Sequence, residues 1–183
     1  VLAQSCLDGL NRTGMDITVD GGILALSPVS YSSMANADDC GTYVRNVTFM
    51  NGAKVTGLPP RVGLVNTTWT VSGSSPSYYN TGLKLVNNAS YAFTLDVRDA
   101  TGDSGTDFYI AGKMYDMGTL TGLKLVKTGA GTVRFGGAST CLSPVEISAG
   151  TLILGVTNAV NASQAVTLSG GTLAVEAGAG IAA

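Results

Sequence analysis

No histidine occurs anywhere in the 183 residues. Its absence removes the usual general base, so neither a Ser-His-Asp nor a Cys-His arrangement can be assembled. Charge is sparse as well. Asp, Glu, Lys and Arg make up 12% of the chain and leave a net charge of −2, which is about half the ~25% charged content usual in globular domains. The Lys and Arg residues are scattered along the whole length, so the basic stripe of a nucleic-acid binder is missing and nucleic acid is not an expected partner. Aromatic residues account for 7% and are mostly isolated, which argues against the girdles of an outer-membrane barrel. Long apolar runs are missing too: hydrophobic residues reach 45%, yet no stretch approaches the ~20 residues of a membrane helix. Cys6, Cys40 and Cys141 form an odd set without C-x-x-C spacing, which argues against zinc. Cys6 and Cys40 fit a disulfide in an oxidising compartment and a pair of reduced thiols equally well.

What the chain does have is short blocks of Val, Ile, Leu and Thr separated by Gly, Ser, Thr and Asn, with 25 glycines in all. Such blocks read as many short strands with tight turns, leaving little room for helix. The blocks also repeat. TGLKLV stands at residues 81–86 and again, unchanged, at 121–126. VEISAGTLIL at 145–154 aligns with VTLSGGTLAV at 166–175, and ITVDGGILAL at 17–26 follows the same template. A step of roughly twenty residues, with its double, accounts for all of these.

One unit has a simple physical logic. In residues 166–175, alternation puts Val166 and Leu168 on one face, and Leu173 and Val175 form a second alternating set after the Gly170-Gly171 corner. Glycine permits the sharp bend because positive φ costs it little. Two such strands cannot close a core alone, whereas stacked units bury both apolar sets in one interior. The expected fold is therefore all-β, a parallel solenoid of roughly 20-residue coils. Strands are expected within 17–26, 47–55, 83–95, 107–113, 123–135, 145–154 and 166–175. Asn51-Gly52, the only Asn-Gly step, lies inside a unit-like segment at 47–55, so the hairpin signal of a sandwich is weak. Prolines 28, 59, 60 and 76 and Ser/Gly-rich loops are expected to interrupt the ladder in 27–45 and 56–80.

Residues 123–140 (LKLVKTGAGTVRFGGAST) resemble the opening of the autotransporter-associated β-strand repeat, also called the passenger-associated transport repeat. That family typically reads L-x-K-x-G-x-G-T-L-x-L-x-G-x-N-T-Y-x-G. Its later portion is matched by AGTLILG at 149–155 and AVTLSGGTLA at 165–174, and DFYIAGK at 107–113 is similar to the strand that often precedes the repeat. The sequence departs from the pattern at 139–143, where STCLS replaces the Asn-Thr-Tyr corner and Pro144 follows.

The resemblance implies a right-handed parallel β-helix: a single segment over 1–183, with 121–178 the repeat, and a fragment of a longer autotransporter passenger. It implies a secreted or surface-displayed location on the extracellular side of a bacterial outer membrane. Membrane attachment would come only through a C-terminal barrel outside these residues. The implied role is non-catalytic, aiding secretion and folding and contributing to adhesion. The implied partners are neighbouring coils of the parent passenger and a host or cell-surface glycan or protein.

Few residues compete for a chemical role, and no catalytic, cofactor-binding or metal residue is assigned. Asp96, Asp99, Asp103 and Asp107 lie in a Gly-containing stretch and offer oxygen ligands, but EF-hand and β-roll orders are missing, so a solvated loop is the plain reading. Asp96, Asp99 and Arg98, with Lys113 or Lys124 on neighbouring coils, are the candidates for the alternative function, a polysaccharide-active β-helix lyase or glycoside hydrolase. Cys141 would lack a base and reads as a small apolar filler. Tyr78 and Tyr79, after the Ser/Gly/Pro stretch at 72–77, are the chosen binding residues, where a sugar or receptor can stack. Phe108-Tyr109 offers a similar pair beside the acidic loop. Asn-x-Ser/Thr sequons at Asn11, Asn46, Asn66, Asn88 and Asn161 follow from composition and imply no glycosylation.

Overall fold

The computed structural model describes residues 2–5, 15–27, 44–62, 66–86, 91–117 and 123–179. Within these residues there is no helix, and every regular element is a short strand. The first third of the chain supplies β1 (Leu2–Ser5), β2 (Met15–Asp20), β3 (Ile23–Ser27), β4 (Val44–Met50), β5 (Lys54–Gly57) and β6 (Arg61–Val62). The middle supplies β7 (Thr67–Ser72), β8 (Ser77–Tyr79), β9 (Leu83–Val86), β10 (Ala92–Val97), β11 (Phe108–Ile110) and β12 (Met114–Met117). The last third supplies β13 (Lys124–Thr128), β14 (Thr132–Phe135), β15 (Val145–Ile147), β16 (Thr151–Leu154), β17 (Val166–Leu168) and β18 (Thr172–Val175).

All pairings are parallel, and no two consecutive strands of the described chain pair with each other. One sheet has the order β1-β3-β5-β8-β11-β14-β16-β18, a second β17-β15-β13-β10-β7-β4-β2, and a third β12-β9-β6. The chain therefore visits the sheets in turn and returns to each one strand further along. In the last third the return step is short: Leu125 pairs with Val145 and Val145 with Val166, steps of 20 and 21 residues. Earlier it lengthens, up to the 32 residues from Leu95 to Lys127. The expected twenty-residue period thus holds only after β13. Before that, each passage also includes a strand of the third sheet, and the passage from β10 to β13 carries the acidic loop as well.

Alternation fixes which side chains face inward. In β10, Phe93, Leu95 and Val97 are buried while Ala92, Thr94 and Asp96 between them are not. One apolar cluster draws on all three sheets, with Val133 and Leu152 from the first, Leu125 and Val145 from the second, and Leu83 and Leu85 from the third. Its largest members sit together. Trp69 lies 4.8 Å from Tyr79, 5.1 Å from Phe93 and 5.4 Å from Phe49, ring centre to ring centre, and Phe49 lies 4.9 Å from Phe108.

This corrects the expectation that 56–80 interrupts the ladder. Both β7 and β8 are full members of their sheets, and Trp69 is only 1% exposed. The prolines do no harm there because Pro59 and Pro60 precede β6 and Pro76 lies in the turn before β8, positions that demand no ladder N–H. The other part of that expectation, residues 28–43, lies outside the described residues.

The corners show why certain residues are fixed. Gly150, between β15 and β16, has φ +65°, and a Cβ there would stand 2.4 Å from the Gly131 carbonyl oxygen. Asn51 (φ +52°) turns the chain between β4 and β5, which belong to different sheets, so this Asn-Gly step forms a corner and no hairpin. Its Nδ2 donates to Asp20 Oδ1 at 2.7 Å, and its Oδ1 accepts from the Ser74 N–H at 3.2 Å, which ties three successive corners together. At the β17–β18 edge the interior opens: Leu168 is 56% and Val175 53% exposed, against 0% for Ile147 and 1% for Leu154, their partners one strand inward.

Candidate functional site

The two tyrosines chosen from sequence have opposite fates. They are neighbours in β8, and strand alternation sends them to opposite faces. Tyr79 is a correction: it is 1% exposed, packs on Trp69, and its hydroxyl donates to the Gly82 carbonyl at 3.1 Å. It belongs to the core and cannot meet a ligand. Phe108 is buried likewise.

Tyr78 points outward, half-buried. Parallel register places it beside Tyr109 of β11, and the two rings stack at 4.9 Å with an interplanar angle of 8°. Lys54 precedes Tyr78 in register, its ammonium 5.6 Å from the ring centre, and Arg134 follows Tyr109. The outward row of this sheet therefore reads Lys54, Tyr78, Tyr109, Arg134. Arg134 is already committed, since its guanidinium grips Glu176 with contacts of 2.7 and 2.8 Å, which pushes its pKa further up.

A second row runs alongside on the third sheet. Arg61, Lys84 and Tyr115 are in register, and the ammonium groups of Lys84 and Lys113 lie 5.6 and 6.0 Å from the Tyr115 ring centre. The corners between the rows are in contact: a Cβ built on Gly82 would meet the Lys113 carbonyl at 3.0 Å and Tyr115 Cε1 at 3.4 Å. The one carboxylate on these strands, Asp116, is turned away to hold residues 141–143. It accepts from the Leu142 N–H at 2.6 Å and from the Cys141 thiol at 3.0 Å.

The acidic stretch does not converge. Asp107 is buried and accepts from the Ala100, Thr101 and Thr132 N–H groups at 2.7, 2.9 and 2.7 Å, so it organises the loop from inside. Asp99 caps the Gly102 N–H and Asp103 the Gly105 N–H. No set of three or more Cys, Asp or Glu side chains is placed to hold a metal among the described residues. The candidates for polysaccharide chemistry are dispersed as well. Asp96 and Arg98 approach only to 3.9 Å, Lys124 pairs with Glu146, and Lys113 faces Tyr115.

The most unusual ionisable group was not picked out from sequence. Lys127 alternates inward in β13 and is fully buried, its ammonium donating to the carbonyls of Thr128, Gly129 and Ala149 at 2.6, 2.8 and 3.1 Å. Burial pushes its pKa down to about 8, against the opposing pull of Asp96 and Asp107. Only its place in the strand alternation signals it. Three corner carbonyls take up its protons, so it serves the backbone. Cys141 is buried, and its pKa is pushed up to about 12 by desolvation and then by Asp116, a thiol held protonated and unreactive.

The sequon asparagines at 46 and 66 cap the next strand, Asn46 accepting from the Thr68 N–H and Asn66 from the Ala92 N–H, both at 3.0 Å. Cys6, Cys40, Asn11 and Asn88 lie outside the described residues. Compared with known proteins, the chain matches no family model, no curated protein and no solved structure.

Proposed function

We propose that this chain is a stretch of right-handed parallel β-helix serving as a structural, non-catalytic spacer of a secreted or surface-displayed autotransporter passenger. The observation that carries the reading is the in-register parallel pairing, with each sheet revisited in turn around a shared apolar cluster. Right-handed winding follows from the general preference of parallel crossover connections. The return step of 20 and 21 residues coincides with the segment whose motifs resemble the passenger-associated repeat. In a passenger exported C-terminus first, a regular stack at 121–178 would template the coils that follow and resist sliding back.

The test is export. The 183 residues are placed between a signal peptide and an outer-membrane barrel in a Gram-negative host. The expected result is a folded, surface-exposed segment whose display falls severalfold when 121–178 is deleted. Retention in the periplasm, or export indifferent to that deletion, would contradict the reading. In parallel, the purified chain should release no products from pectin-like or host glycans. Depolymerisation lost on Asp96→Ala or Asp99→Ala would establish the enzyme alternative instead.

A further inference from the structure

We infer that the outward tyrosine–lysine face of β5, β8, β9, β11 and β12 is a docking surface for a linear acidic glycan, with carboxylate or sulfate groups along its chain. The inference deepens the adhesive role proposed above and rests on that reading only for where such a glycan would be met.

Charge distribution is the first argument. The whole chain is slightly acidic, with a net charge of −2, yet this face gathers Lys54, Lys84 and Lys113 with no carboxylate directed onto it. Cations elsewhere are engaged: Arg45 with Asp16, Lys124 with Glu146, Arg134 with Glu176, and Lys127 inside the core. Exposed Lys54 and Lys113 pair with no carboxylate among the described residues, keeping only their aromatic neighbours. An ammonium over an aromatic ring is held in place by the ring quadrupole and retains donors for an anion.

The rings decide which polyanion fits. Tyr78 and Tyr109 lie face to face at 4.9 Å, with Lys54 above the Tyr78 ring. Tyr115 has Lys84 and Lys113 within 6.0 Å of its centre. A nucleobase binds by stacking on an open ring face, and here those faces are already covered. What the stacked tyrosines still offer is their phenolic rim, a row of hydroxyls that both donate and accept. Hydroxyls beside ammonium groups complement a ligand dense in hydroxyls and anions, which describes an acidic glycan better than a nucleic acid. The flat register of parallel strands keeps the row straight, which suits a linear chain.

The experiment is calorimetric or interferometric binding of the 183-residue chain to polygalacturonate, heparin and neutral dextran of matched length. Single-stranded oligothymidylate and phosphatidylserine vesicles serve as the rival polyanions. The expected result is binding to polygalacturonate or heparin that weakens as salt rises, with dextran bound at least tenfold more weakly. The triple variant K54Q/K84Q/K113Q should lose at least tenfold. Y78F/Y109F, which keeps the stack and removes the hydroxyls, should lose severalfold, and K124Q on another sheet should change nothing. Unchanged Trp69 fluorescence in each variant shows that the fold is kept. The inference is overturned if neither acidic glycan binds, if the triple variant binds as well as the parent, or if the oligonucleotide or vesicles bind more tightly. Export of the chimera with no glycan binding would overturn this inference alone, whereas failed export with lysine-dependent binding would overturn only the passenger reading.

Discussion

A buried lysine is the residue at which the physics is most exposed. Lys127 keeps its ammonium among three carbonyls, and burial lowers its pKa to about 8. The unfolded chain, with a lysine near ~10.4, binds that proton more tightly than the folded one. Folding is therefore penalised at pH 8 and below, and the penalty fades as pH rises from about 8 toward the unfolded value. The urea midpoint should accordingly climb between pH 8 and 9.5, and Lys127→Met should flatten that rise. At pH 7 the same variant leaves the Thr128, Gly129 and Ala149 carbonyls without their donor. A net loss of about 1–3 kcal/mol is expected, read from denaturant unfolding. A midpoint independent of pH in the parent chain would mean that the ammonium reaches water.

Corners and strands form the next scale, and they divide by how well the sequence announces them. The repeats 145–154 and 166–175 show β15 to β18 plainly, because alternation and a Gly step are local signals. Strands β7 and β8 were hidden. Trp69 sits between threonines in a stretch flanked by Pro and Ser, and only its three-dimensional neighbours Phe49, Tyr79 and Phe93 reveal a core position. Tyr78 and Tyr79 illustrate the same limit: sequence selects the pair, whereas alternation anchored by register selects the one that faces out. The third sheet went unforeseen because β6, β9 and β12 pair only with one another, so no repeat spacing announces them.

Glycine corners give a sharp test at this scale. Gly150→Ala combines φ +65° with a Cβ 2.4 Å from the Gly131 oxygen and should cost about 2 kcal/mol or more. Gly102→Ala has a similar φ of +72° but open space around it, so only the conformational cost of about 1–2 kcal/mol applies. Equal losses from the two would show that the corners do not pack one on another.

Repeat regularity by itself places the slowest-exchanging amides in 123–154. The packing extends that region backwards, since β7 and β10 hold Trp69, Phe93 and Leu95 in the interior of a sheet with partners on both sides. Amides of β7, β10 and β13 should exchange last and those of β17 and β18 first, measured by hydrogen exchange with mass spectrometry. Protection greatest in β17 and β18 would mean that the exposed Leu168 and Val175 are covered in solution.

The whole molecule follows from one rule: each strand pairs with its counterpart one return step away, never with its neighbour in the chain. That rule yields an interior too small for a ligand, an outer surface of straight rows, and acids spread along a scaffold. It is tested most directly by methyl and amide nuclear Overhauser contacts in the 183-residue chain. The account predicts contacts in the order Val133–Leu152–Leu173 in one sheet and Leu125–Val145–Val166 in the other, with parallel-type backbone contacts throughout. Antiparallel Hα–Hα contacts between consecutive strands, such as β15 with β16, would contradict it.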